Sequence, residues 1–142
     1  MENGRVVLLA PNYEIGRKVR FHLRGTNHDI VGETPRIDNF LAMIRGGLGF
    51  HVAILDLDLH EKIPGCTDRQ ISYMWAALKS CRPEPTVVYG IAVKNESATI
   101  TDLPSHSFSE PIDMLGDKLK ELPERPPSVF VPLPHAQPNG DV

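Results

Sequence analysis

The sequence of 142 residues lacks the features that mark several classes of protein. No apolar run approaches the ~20 residues of a membrane-spanning helix, and the first six residues lack the apolar stretch of a signal peptide. The net charge is only −3 at pH 7, without a basic block, and the six histidines are not spaced as metal ligands. These absences argue against a membrane protein, a nucleic-acid-binding protein and a histidine metal site.

Cysteine is also scarce. The two cysteines, Cys66 and Cys81, flank one predicted helix and are too far apart for a close-spaced metal or redox motif. We therefore expect free thiols and a reducing, cytoplasmic location. The length suits one domain with a single hydrophobic core.

Two unbroken apolar runs, residues 6–10 and 52–55, predict strands that are buried on both faces. Such strands are typical of a parallel sheet covered by helices. The second run ends at Asp56. Because ligands gather at the carboxyl ends of strands in open α/β sheets, Asp56 stands where a functional carboxylate is expected.

Segments with helical apolar periodicity alternate with the predicted strands. Gly25 and Gly46-Gly47 are typical of helix ends, Thr34-Pro35 of a helix start, and Thr67 with Gln70 of a capping box. Residues 94–109 could form a helix or a further strand, since the β-branched residues at 99–101 disfavour a helix.

This alternation predicts an α/β fold with a flavodoxin-like, doubly wound parallel sheet of five strands, in the order 2-1-3-4-5, and helices on both faces. The region of the fourth helix is atypical. Residues 1–122 are the predicted domain, and residues 123–142, six of which are proline, are a predicted tail or linker. Within the tail, residues 128–133 are apolar enough to dock on the domain or on a partner.

From residue 5 to about residue 122, the chain resembles the receiver domain of bacterial two-component response regulators. The resemblance rests on residues 52–59, Pro64-Gly65, Val31-Gly32-Glu33 and Glu110-Pro111. It implies that Asp56 holds the position of the aspartate that accepts a phosphoryl group from a histidine kinase.

Four positions depart from the family pattern. Ala10 and Pro11 replace the acidic pair that holds Mg²⁺ in the family. Gly90 replaces the Ser or Thr, and Glu110 the Lys, whose side chains contact the phosphoryl oxygens on the aspartate. At ~4 Å, Glu110 would repel the phosphoryl group by roughly 4 kcal/mol. The resemblance thus implies a pseudo-receiver, which is a non-enzymatic two-component signalling module without ordinary Mg²⁺-dependent phosphorylation and without a cofactor.

The expected partner is a protein, either a signalling protein or a histidine kinase, which would contact residues 90–122, a face that could also form a homodimer. One alternative is a functional phosphoacceptor that uses Asp56 and Mg²⁺, with Asn12, Asp58 and His60 as pocket neighbours. A second is a small phosphatase, since Asp56-Leu57-Asp58 is similar to the nucleophile motif of haloacid-dehalogenase-type enzymes.

Overall fold

The computed structural model describes residues 4–11, 13–56, 67–84, 88–94, 97–103 and 109–131. The strands are β1 (Gly4–Leu9), β2 (His28–Thr34), β3 (Val52–Asp56), β4 (Cys81–Arg82), β5 (Val88–Lys94), β6 (Ser97–Asp102), β7 (Ser109–Pro111) and β8 (Val129–Phe130). The helices are α1 (Tyr13–Leu23), α2 (Ile37–Arg45), α3 (Asp68–Lys79) and α4 (Leu115–Lys120), the last preceded by a 3₁₀ turn (Ile112–Met114). In these residues no helix is long and apolar enough to cross a membrane.

A six-stranded sheet with the order β2-β1-β3-β5-β6-β7 forms the centre of the fold. Its first four strands are parallel, whereas β6 and β7 run antiparallel to their neighbours. The mixed α/β class with a mostly parallel sheet is confirmed, but the prediction of five parallel strands is wrong. Only residues 95 and 96 separate β5 from β6, and a parallel crossover needs a dozen residues or more.

Helices cover both faces of the sheet. Along β1, Val6 and Leu8 face α1 and α4, while Val7 and Leu9 face α2 and α3. Strands β1 and β3 are apolar at successive positions because each of their faces contacts a helical layer.

The predicted ends of the helices are partly confirmed. Gly25 and Gly47 have positive φ angles of 79° and 96° just after α1 and α2, and the Thr67 side chain accepts a hydrogen bond from the Gln70 backbone N–H. The prediction of a helix start at Thr34 is wrong. The Thr34 carbonyl accepts the Ala10 N–H at 3.1 Å, which keeps Thr34 in β2, and α2 begins at Ile37.

In the undecided segment 94–109, the β-branched residues belong to strand β6 rather than to a helix. The helical spacing of Ile112, Leu115, Leu119 and Leu122 predicts a last helix, which in the structure is short. Its apolar stripe is buried, but the first turn is a 3₁₀ turn and the α-helix itself covers only six residues.

Part of the proline-rich tail packs on the domain. Residues 123–131, which we call the strap, leave α4 on one face of the sheet and end on the other face. There, β8 pairs with β4 directly after α3. Between these points, Ser128 and Phe50 form a backbone bridge.

Candidate functional site

Asp56 is the last residue of β3 and is only 1 % exposed. Its side chain lies on the face of the sheet that α1 and α4 cover, because Val52 and Ile54 belong to that face and side chains alternate along a strand. The predicted carboxylate is therefore at the carboxyl edge of the parallel strands, but it is buried.

The neighbours of Asp56 in the sheet are apolar. Ala10 and Asp56 each follow the last pair of the β1–β3 register, Leu9 and Leu55, so they lie side by side. On the other side, the partner of Asp56 is Ile91. Since Ala10 is 5 % and Ile91 0 % exposed, the carboxylate lies in a row of buried apolar side chains.

Gly90 is not the neighbour of Asp56. It pairs with Leu55, which faces α2 and α3, so a side chain at position 90 would point away from the carboxylate. The expectation that position 90 faces Asp56 is wrong by one residue of register. A hydroxyl at this position would not reach a phosphoryl group on Asp56.

The expected repulsion between Glu110 and a phosphoryl group is also wrong. Glu110 lies in β7, paired with Ile100 of β6, which in turn pairs with Ile91. Three strand spacings put Glu110 about 14 Å from Asp56 along this row. The Glu110 carboxylate forms an ion pair with Lys118 of α4, with 2.5 Å between Oε2 and Nζ.

The described residues do not fit Mg²⁺ at Asp56. Octahedral coordination of this ion usually needs carboxylate charge, whereas Ala10 and Ile91 offer methyl groups and the half-buried Pro11 offers no side-chain oxygen. Within the described ranges, no group of three His, Cys, Asp or Glu side chains is placed to hold a metal ion. Asn12, Asp58 and His60 lie outside the described residues.

A second site lies at the opposite end of the sheet. A cleft of about 860 Å³ opens between the strap and the amino-terminal ends of β1, β2 and β3. Gly4, His28 and His51 form its floor, and α4 and the strap form one side. The cleft was not predicted from the sequence, because the segments that line it are far apart in the chain. The scattered histidines were the sequence feature that pointed to it.

His51 joins the strap to the sheet through both ring nitrogens. Nδ1 accepts the backbone N–H of Arg5 at 3.0 Å, and Nε2 lies 3.0 Å from the Arg125 carbonyl oxygen. Because Nδ1 is an acceptor, the ring proton is on Nε2, which donates to the strap. The two bonds together require a neutral ring.

Burial lowers the pKa of the neighbouring His28 below its usual 6.5, and the adjacent His51 ring lowers it further, against the opposing effect of Asp29. His28 packs so closely on Gly4 that a Cβ atom on that glycine would lie 2.2 Å from the imidazole Cδ2. The floor of the cleft is therefore made of neutral imidazole rings.

We expect the protein to lose stability as the pH falls below about 6.5, because the unfolded chain takes up a proton at His28 before the folded protein does. Above this pH, the His28 ring is neutral in both the folded and the unfolded chain, and its contribution to the free energy of unfolding is fully present. Urea unfolding at about pH 7.5 and about pH 5.5 measures the loss. His28→Gln should reduce it, whereas the control His22→Gln, on α1, should not; an unchanged loss in His28→Gln would contradict the prediction.

Comparisons of the chain with protein-family models, with curated proteins and with solved structures found no match. The features of the molecule that bear on its function are therefore the buried Asp56 at one end of the sheet and the open cleft at the other.

Proposed function

We propose that this protein is a pseudo-receiver, a signalling module of the two-component type that acts through protein–protein contacts and not through ordinary Mg²⁺-dependent phosphorylation. The parallel strands β2-β1-β3-β5, with helices on both faces, are compatible with the flavodoxin-like fold of receivers. The observation that carries the proposal is Asp56, which is 1 % exposed between Ala10 and Ile91.

Phosphoryl transfer to a carboxylate needs an open in-line path for the donor and cations that neutralise the transferred oxygens. The buried carboxylate of Asp56 offers no open path, and the side chains beside it in the sheet carry no charge. The nearest acidic residue of the row, Glu110, is already paired with Lys118. These features support a module whose state does not depend on phosphate.

The proposed contact surface lies within residues 90–122, where antiparallel strands and a short helix replace the last parallel unit of a receiver. Strand β7 is the last strand in the described sheet, so its outer edge can accept a protein partner or a second copy of the chain. Met114, which is 37 % exposed in the neighbouring 3₁₀ turn, adds an apolar contact to this surface.

We expect no phosphorylation of Asp56 when the full chain is incubated with Mg²⁺ and acetyl phosphate, because the carboxylate is buried between the apolar side chains of Ala10 and Ile91. Intact-mass measurement of the wild type and of Asp56→Asn detects the modification. Sedimentation of the same samples should be identical with and without the phosphodonor.

A mass gain of one phosphoryl group in the wild type, absent from Asp56→Asn, would show that Asp56 is a working phosphoacceptor. A phosphate-dependent change in sedimentation that Asp56→Asn abolishes would likewise contradict the proposal. A gain that persists in Asp56→Asn is modification at another residue and leaves the buried carboxylate unphosphorylated, as expected.

A further inference from the structure

The cleft beneath the strap has the size of a small-molecule site. Its volume of about 860 Å³ is within the range of ligand pockets, and it lies at the end of the sheet opposite Asp56. Both edges of its outer wall are fixed, because Arg125 is bonded to His51 and Ser128 to Phe50. A wall that is already ordered adds little entropic cost to ligand binding.

Most polar groups on the floor of the cleft already have partners, and the Nδ1 atom of His28, which has no hydrogen-bond partner among the described residues, is buried. The two nitrogens of His51 bind Arg5 and Arg125, and the Thr26 hydroxyl donates to the Leu23 carbonyl and accepts the His28 N–H. Above the floor, the remaining surface is mostly rings and methyl groups. This apolar wall consists of Leu119, Leu122, Pro123, Pro126 and Pro127.

The charge of the floor selects among apolar ligands. His51 is held neutral by its two hydrogen bonds, and the half-buried His28 favours its neutral form. The charged residues at the cleft are Lys120 and Glu124, which are exposed and opposite in sign, and Arg125, whose guanidinium donates to the Glu84 carbonyl at 2.9 Å. Flat imidazole and proline rings therefore face each other above a floor that carries no charge, which suits an uncharged planar ring.

We propose that this cleft is a binding site for a small, uncharged, planar ring compound, held between the imidazoles of the floor and the prolines of the strap. Such a ligand contacts the sheet and the strap together, so its binding stabilises the docked strap. The proposal does not rest on the pseudo-receiver function, since that function is argued from Asp56, which lies at the opposite end of the sheet from the cleft.

Indole is a suitable probe because it is flat, uncharged and mainly apolar. We expect saturable shifts of backbone amide signals at Gly4, Gly25, Thr26 and Asn27 when indole is added to the ¹⁵N-labelled full chain, with a Kd of about 1 mM or lower. Indole-3-carboxylate should bind at least several-fold more weakly, because its charge has no partner on the neutral floor.

Pro126→Trp places a large side chain at the cleft without removing a backbone N–H, and should weaken indole binding about tenfold or more. Pro35→Trp, at an exposed proline beside the carboxyl end of β2, is the matched control and should bind indole like the wild type. Intermolecular NOEs from indole to the methyl groups of Leu119 and Leu122 locate the ligand in the wild type, so the test does not depend on either variant.

Saturable shifts with these NOEs, lost in Pro126→Trp and kept in Pro35→Trp, support the site. The proposal is overturned if no saturable shift occurs up to the solubility of indole, if the NOEs lead to another surface, or if the carboxylate binds more tightly. A folded Pro126→Trp variant that binds indole as well as the wild type would overturn it too.

Discussion

A chain that ends at Leu122 is expected to be less stable than the full chain by about 3 kcal/mol or more. The missing strap carries Ser128, whose backbone N–H and carbonyl bond Phe50 at 2.7 and 3.0 Å. Phe50 is 0 % and Ser128 1 % exposed, so loss of the strap leaves two buried backbone groups of Phe50 without their partners, and it also removes Phe130, which packs against the core cluster that contains Phe50.

The strap also protects the end of α3. Strand β8 pairs with β4, and the Val131 N–H donates to the Ser80 carbonyl at 3.1 Å, which keeps Cys81 fully buried. Burial raises the pKa of this thiol to about 11, so it stays protonated and unreactive at neutral pH. In a Cys66→Ser background, we expect Cys81 to react faster with a thiol reagent in the truncated chain.

Urea unfolding followed by the fluorescence of Trp75 measures the stability loss. A second chain that ends at Val131 retains the described strap contacts and is the matched control. The full chain and the chain that ends at Leu122 differ in free energy of unfolding, and the loss is due to the strap if the chain that ends at Val131 recovers most of this difference. Equal stability of the two truncated chains would contradict the prediction.

Local chemistry explains which parts of the fold could be predicted from the sequence. Strands β1 and β3 were predictable because burial on both faces demands an apolar residue at nearly every position. The ends of α1 and α2 were predictable because Gly25 and Gly47 adopt backbone angles that other residues rarely do. The β-branched residues of β6 indicated a strand but not its direction, which the two-residue connection from β5 determines.

The candidate sites depended on long-range register, which local patterns do not encode. A shift of one residue between β3 and β5 decides whether Gly90 or Ile91 lies beside Asp56. The same shift moves each side chain of β5 to the opposite face of the sheet. The cleft was less predictable still. His51 takes its two partners, Arg5 and Arg125, from positions 46 and 74 residues away.

Ala10→Asp is expected to destabilise the protein by about 3 kcal/mol or more, since it places a second carboxylate beside Asp56 on a buried face. Two charges about 5 Å apart repel by roughly 3 kcal/mol at an effective dielectric constant of 20, and the new charge also loses its hydration. Ala10→Asn has nearly the same shape without the charge, so its smaller loss measures the cost of packing alone.

The double variant Ala10→Asp with Asp56→Asn removes the repulsion but keeps the new buried charge, so it should recover the part of the difference between the Asp and Asn variants at position 10 that is due to repulsion. Thermal and urea unfolding of the wild type, Ala10→Asp, Asp56→Asn and the double variant gives the coupling energy between positions 10 and 56. A value near zero would mean that Ala10 and Asp56 are not neighbours. We further expect millimolar Mg²⁺ to stabilise Ala10→Asp but neither the wild type nor Ala10→Asn, because only the paired carboxylates attract a hard cation. That result would support the proposal that the methyl group of Ala10 excludes Mg²⁺ from this site, and an Mg²⁺ effect on the wild type would contradict the proposed function.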